Sequence, residues 1–126
     1  MREQAQRLIA HLQRLEADAP AEERKRALAS LMALDLREED ARQVRDACAH
    51  AHEGLLSAQA FQAEARAEIA KLKRGASPEA APERNEVASS AAASLALSRS
   101  ESTLAAAKPA LARCRDLSAA FVLQHR

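Results

Sequence analysis

Two stretches of this chain place small or apolar residues at alternating steps of three and four. The first runs Ala41, Val44, Cys48, Ala51, Leu55, Ala58, Gln62, Ala65, Ile69, Leu72. The second runs Ser90, Ala93, Leu97, Ser100, Leu104, Ala107, Leu111, Cys114, Ser118, Phe121. A heptad repeat keeps one stripe of a helix turned toward a partner. Between the stripes lies Gly75-Ala76-Ser77-Pro78-Glu79-Ala80-Ala81-Pro82-Glu83-Arg84, rich in helix breakers. Two seams joined by such a connector predict a long antiparallel helical hairpin, over about 36–74 and 86–125, with its loop at about 75–85.

With the turn centred near Ala81, the seams can be laid side by side. Leu72 comes level with Ser90, Ile69 with Ala93, Ala65 with Leu97, and Gln62 with Ser100. Ala58 then meets Leu104, Leu55 meets Ala107, Ala51 meets Leu111, and Cys48 meets Cys114. Val44 with Ser118 and Ala41 with Phe121 complete the set. Most levels oppose a large side chain to a small one, as a close-packed layer requires. The polar level, Gln62 with Ser100, is expected to form a register-fixing hydrogen bond.

Composition points the same way. About a quarter of the 126 residues are Ala, β-branched residues are scarce, and Trp and Tyr are absent. The best helix formers dominate, so the fold class is all-α. The length suits a single domain, residues 1–126.

Within residues 1–34, two short helices are expected. Ala5, Leu8, Leu12 and Leu15 form a stripe from about Arg2 to Ala17, and Asp18-Ala19-Pro20 ends it. Pro20 suits the first position of a second helix, and Glu22 and Glu23 suit its first turn. Asp35 and Glu38 have capping-box spacing ahead of the long hairpin, and Asn85 stands ready to cap its second helix. The short helices should pack at the open end, against Leu36, Val44, Leu117, Phe121, Val122 and Leu123, giving a partial four-helix bundle. Gly54 and Pro109 are unfavourable inside helices by about 1 and about 3 kcal/mol relative to Ala. They fall at one level of the hairpin, where a matched bend is expected.

A formal net charge of +1, with acids and bases interspersed, argues against bulk binding to nucleic acid. It likewise argues against an anionic membrane surface. No apolar run approaches the ~18–20 residues that span a bilayer. The start, Met1-Arg2-Glu3-Gln4, carries no secretory leader pattern, and two distant cysteines do not make a disulfide scaffold. The expected location is cytoplasmic. Cys48 and Cys114 are therefore expected as buried thiols acting as small hydrophobes, a cross-helix disulfide being the alternative. Cys48, His52 and Cys114 offer three soft ligands with no evident fourth, so neither metal nor cofactor is expected.

The segment Ala49-His50-Ala51-His52-Glu53-Gly54-Leu55-Leu56-Ser57 resembles the motif of histidine phosphotransfer domains, with a helical His followed four residues later by Gly. That resemblance implies a four-helix bundle with His50 as phosphoacceptor and Gly54 as the gap admitting a receiver partner. Glu53 stands where that family carries Lys. No Gly-rich phosphate loop, acid pair or serine–base arrangement suggests an enzyme.

The leading expectation is a non-enzymatic helical protein–protein interaction module: a small bacterial adaptor, a secretion- or flagellar-type chaperone, or a structural subunit. Leu56, Phe61 and Leu95, apolar and off the seam, are its expected interaction surface. The expected partner is another helical protein or a second copy, forming a homodimer. A histidine-phosphotransfer-like bundle using His50 is one alternative. A helix-turn-helix in residues 18–52, binding nucleic acid, is the other.

Overall fold

The computed structural model describes residues 2–16, 19–75 and 83–125. Among them are four helices: α1 (Arg2–Glu16), α2 (Ala21–Met32), α3 (Glu39–Gly75) and α4 (Glu83–Gln124). The expected all-α hairpin is present. Asp40 pairs with His125, Cys48 with Cys114, and Gly54 sits against Ala107, numbers rising on α3 as they fall on α4. The expected connector residues 76–82 lie outside the described residues.

The chain divides into two compact units. The first comprises residues 1–56 and 106–126 and contains all of α1 and α2. Its core joins Ala5, Leu8 and Leu15 of α1 to Leu28 and Leu31 of α2 and to Val44, Cys48 and Phe121 of the hairpin. Leu8, Leu15 and Leu31 are fully buried, which stabilises by about 1.5–3 kcal/mol each. The 3–4 stripe of α1 therefore faces where its spacing predicts. Leu36, Val44 and Phe121 are buried as expected, with Leu117 packed partly against them. Leu123 is not part of this contact: it is 65% exposed.

The helix starts correct several expectations. Pro20 is the residue before α2 rather than its first turn, and its carbonyl accepts the Arg24 N–H at 3.1 Å. The Asp35–Glu38 capping box does not form, because α3 begins at Glu39. Residues 34–37 are instead held by tertiary contacts. Leu36 is buried in the core, the Arg37 N–H donates to Gln4 Oε1, and Leu34 O accepts from Arg45 Nη1 at 2.9 Å. Burying Leu36 outweighs a local cap worth ~1 kcal/mol. Glu38 contributes its carbonyl, which accepts the Arg42 N–H, while Asp40 Oδ1 accepts the Ala41 N–H at 2.8 Å. Asn85 lies inside α4 rather than capping it.

Cys48 and Cys114 are joined in a disulfide, with Cα atoms 4.6 Å apart, rather than standing as two thiols. The level pairing explains it: small residues around the seam bring the backbones within bridging distance. The bonded sulfurs carry no proton, so the Ser118 hydroxyl, 3.4 Å from Cys48 Sγ, is the donor there. Two levels on, a Cβ added to Gly54 would lie 3.3 Å from Ala107 Cβ. Gly54 thus serves close approach of α3 and α4. Both helices are continuous through Gly54 and Pro109.

The second unit comprises residues 57–105. Its described buried residues are all small: Ala58, Ala65, Ala93, Ala96 and Ser100. This departs from the expected large-against-small layers, since Leu97 is 44% exposed and Ala96 takes the buried place. Two helices alone cannot cover the far side of a large seam residue, whereas small residues let backbones approach and leave large ones flanking. The expected Gln62–Ser100 bond is likewise replaced. Ser100 Oγ donates to the Ala58 carbonyl at 3.1 Å, and Gln62 is exposed. A helical carbonyl keeps a second lone pair that can accept such a bond.

Candidate functional site

Two features outlast the account of folding: exposed large apolar side chains on the two-helix unit and a cleft in the four-helix unit. Ile69, Leu95 and Leu97 are 37%, 51% and 44% exposed within residues 57–105. Phe61, half-buried, lies in the same unit with the Arg99 guanidinium 6.0 Å from its ring centre. That placement allows a cation–π contact that covers part of the ring. Leu56 is placed differently from the other two residues read as a surface. It is half-buried and packs against the core of the four-helix unit. Ile69 and Leu97 were hidden from sequence reasoning because both sit at seam positions. Only the choice of Ala96 for the buried place turns Leu97 outward.

His50 is exposed on α3 and lines a shallow groove of about 330 Å³ with Gln43, Asp46, Ala47, Ala110 and Arg113. Gly54, one turn later, is half-buried and turned onto Ala107. The helix thus gives the two residues different surroundings.

His52 is the residue whose environment the sequence did not announce. It is 5% exposed, and its Nδ1 is buried without a hydrogen-bond partner. It lines a cleft of about 440 Å³ within the four-helix unit. Leu15 and Glu16 come from α1, Arg24 from α2, Leu55 from α3, and Leu111, Cys114 and Arg115 from α4. Burial lowers the pKa of His52 below its ordinary value, and the positive charges of Arg24 and Arg115 lower it further, while Glu16 opposes them. The ring is therefore neutral at pH 7. The only sequence signal was its position one turn after Cys48, which put it on the inner side of α3.

At the other end of the same unit, His125 Nε2 contacts Asp40 Oδ2 at 3.1 Å and stacks at 4.3 Å on Phe121. The hydrogen bond from His125 lowers the Asp40 pKa. This contact fastens the last turn of α4 to the first turn of α3.

The trio Cys48, His52 and Cys114 does not offer three metal ligands, because disulfide sulfurs are not thiolates. Among the described residues no group of three or more His, Cys, Asp or Glu side chains could hold a metal ion. No described helix is long and apolar enough to cross a membrane. No protein-family model, curated protein or solved structure matches the chain.

Proposed function

We propose that this chain is a non-enzymatic interaction module that works by presenting helical surface, as an adaptor, a secretion- or flagellar-type chaperone or a structural subunit does. The observation that carries the reading is the exposure of Ile69, Leu95 and Leu97 on a unit only two helices thick. Large apolar side chains flanking a small-residue seam gain most from a further helix laid over them. The occupant we favour is a second copy of the chain. Residues 57–105 carry six acidic and six basic side chains, so two copies meet there without net repulsion.

Light scattering on the eluting protein tests this. The expected mass is twice the 13.6 kDa of the chain, returning to 13.6 kDa in the Leu95→Glu/Leu97→Glu variant with helicity kept. A wild-type mass of one chain at every concentration overturns the homodimer.

The phosphotransfer alternative keeps one supporting observation, the exposure of His50. Acetyl phosphate should leave acid-labile phosphate on His50 if it holds, and none if it does not. The nucleic-acid alternative gains no support from a net charge of +1.

The cysteines bear on the compartment. Disulfides persist in oxidising surroundings and are rare in a reducing cytoplasm. The Cys48–Cys114 bond therefore weighs against the cytoplasmic expectation and favours an oxidising location. Thiol alkylation of protein taken directly from its native host decides between them.

A further inference from the structure

The Cys48–Cys114 bond lies inside the core that the hairpin shares with the N-terminal helices. Cys48 is 0% exposed and Cys114 4%. Both belong to the cluster that holds Ala5, Leu8 and Leu15 of α1 and Leu28 and Leu31 of α2. Leu8, Leu15 and Leu31 are fully buried there, so α1 and α2 cannot lift without uncovering that core. Cys114 borders the cleft together with Leu15 and Arg24, yet its 4% exposure leaves an incoming sulfur almost no surface to strike. Thiol–disulfide exchange needs such surface, because a thiolate must attack one sulfur of the bond while the other leaves.

We infer that α1 and α2 form a lid over this disulfide, so that the bond closes before they dock and neither forms nor breaks once they have. In formation, one cysteine thiolate attacks an external disulfide and expels a thiolate, leaving a mixed disulfide. The second cysteine thiolate attacks the cysteine sulfur of that intermediate and expels the other external thiolate. The cysteines together give up two protons and two electrons, and the external disulfide becomes two thiols. The intermediate hangs a whole external group on a cysteine, and at Cys48, 0% exposed in a close-packed core, there is no room for one. Reduction by a dithiol passes through the same kind of intermediate in reverse. The fold thereby makes the redox state of the pair a record of where the chain folded, indifferent to later surroundings until the lid lifts.

The test is the rate at which dithiothreitol reduces the full chain without denaturant, read by alkylation and mass spectrometry. Reduction should be at least about a hundredfold slower than in the same chain unfolded in urea. Leu15→Ala, which thins the lid, should speed it by about tenfold or more. Leu15→Val, a smaller cut, should speed it less, and it carries the test where Leu15→Ala does not fold. Ala96→Leu, placed in residues 57–105, should leave the rate within about twofold. A native rate less than about a hundredfold below the unfolded one overturns the inference, since thiols would then reach the bond past docked helices. So does equal acceleration by the Leu15 and Ala96 variants, which would put the barrier in opening of the whole chain. Neither result bears on whether the protein dimerises.

Discussion

The same two helices build two different interiors. Where α1 and α2 supply a second layer, the core takes Leu8, Leu15, Leu31, Val44 and Phe121, all deeply buried. Among the described residues of 57–105, α3 and α4 pack without α1 or α2, and the buried positions shrink to Ala58, Ala65, Ala93, Ala96 and Ser100. A large side chain stabilises only if something covers every side of it. Where nothing does, small residues win the seam, and large ones are left beside it at 37–51% exposure. The first interior is complete in one chain. The second leaves Ile69, Leu95 and Leu97 exposed.

The sharpest way to break this comparison is to cut one large side chain in each unit. Leu31→Ala removes a fully buried group and should cost about 2–5 kcal/mol in urea unfolding. Leu97→Ala, at 44% exposure, should change the stability of the monomer by less than about 0.5 kcal/mol. Equal costs would mean that the two interiors are not different in kind. Removing the disulfide with Cys48→Ala/Cys114→Ala should cost about 2–4 kcal/mol, since it closes a 66-residue separation.

The seam of the two-helix unit can be probed from the other direction. Ala96→Leu places a large group where the backbones approach and should cost about 1–3 kcal/mol. Ser100→Ala should cost about 1 kcal/mol through the lost bond to the Ala58 carbonyl.

The smallest effect concerns pH. The folded-state pKa of His52 lies below its ordinary 6.5. Below about pH 6.5 the unfolded chain therefore binds a proton that the folded chain refuses. Stability should decline as pH falls from that point toward the lowered folded value, and His52→Leu should flatten that decline. Asp40, lowered mainly by its hydrogen bond from His125, adds a further loss only at more acidic pH, below about 4.

Most of the architecture was legible because it rests on periodicity. The 3–4 stripes of α1 and of both hairpin helices place Leu8, Cys48, Cys114 and Phe121 inside, and the level pairing brought the two cysteines together. What periodicity cannot supply is the rotation of a helix by a fraction of a turn. Leu97 and Ala96 are neighbours in sequence, and which one is buried depends on how close α3 comes. Nor could local capping rules see that Leu36 would be drawn into the core, delaying α3 to Glu39. The cleft was less legible still. Leu15, Arg24, His52 and Arg115 come from four different helices. No spacing within the sequence relates them.

Hydrogen exchange read by mass spectrometry at low and high protein concentration tests the contrast between the two interiors most directly. Amides of residues 2–16, 19–56 and 106–125 should be protected to the same degree at both concentrations. Those of 57–75 and 83–105 should be weakly protected when dilute and gain protection as a second copy covers Ile69, Leu95 and Leu97. Protection of 57–75 and 83–105 that equals that of 2–16, 19–56 and 106–125 when dilute, and does not change with concentration, would contradict the account.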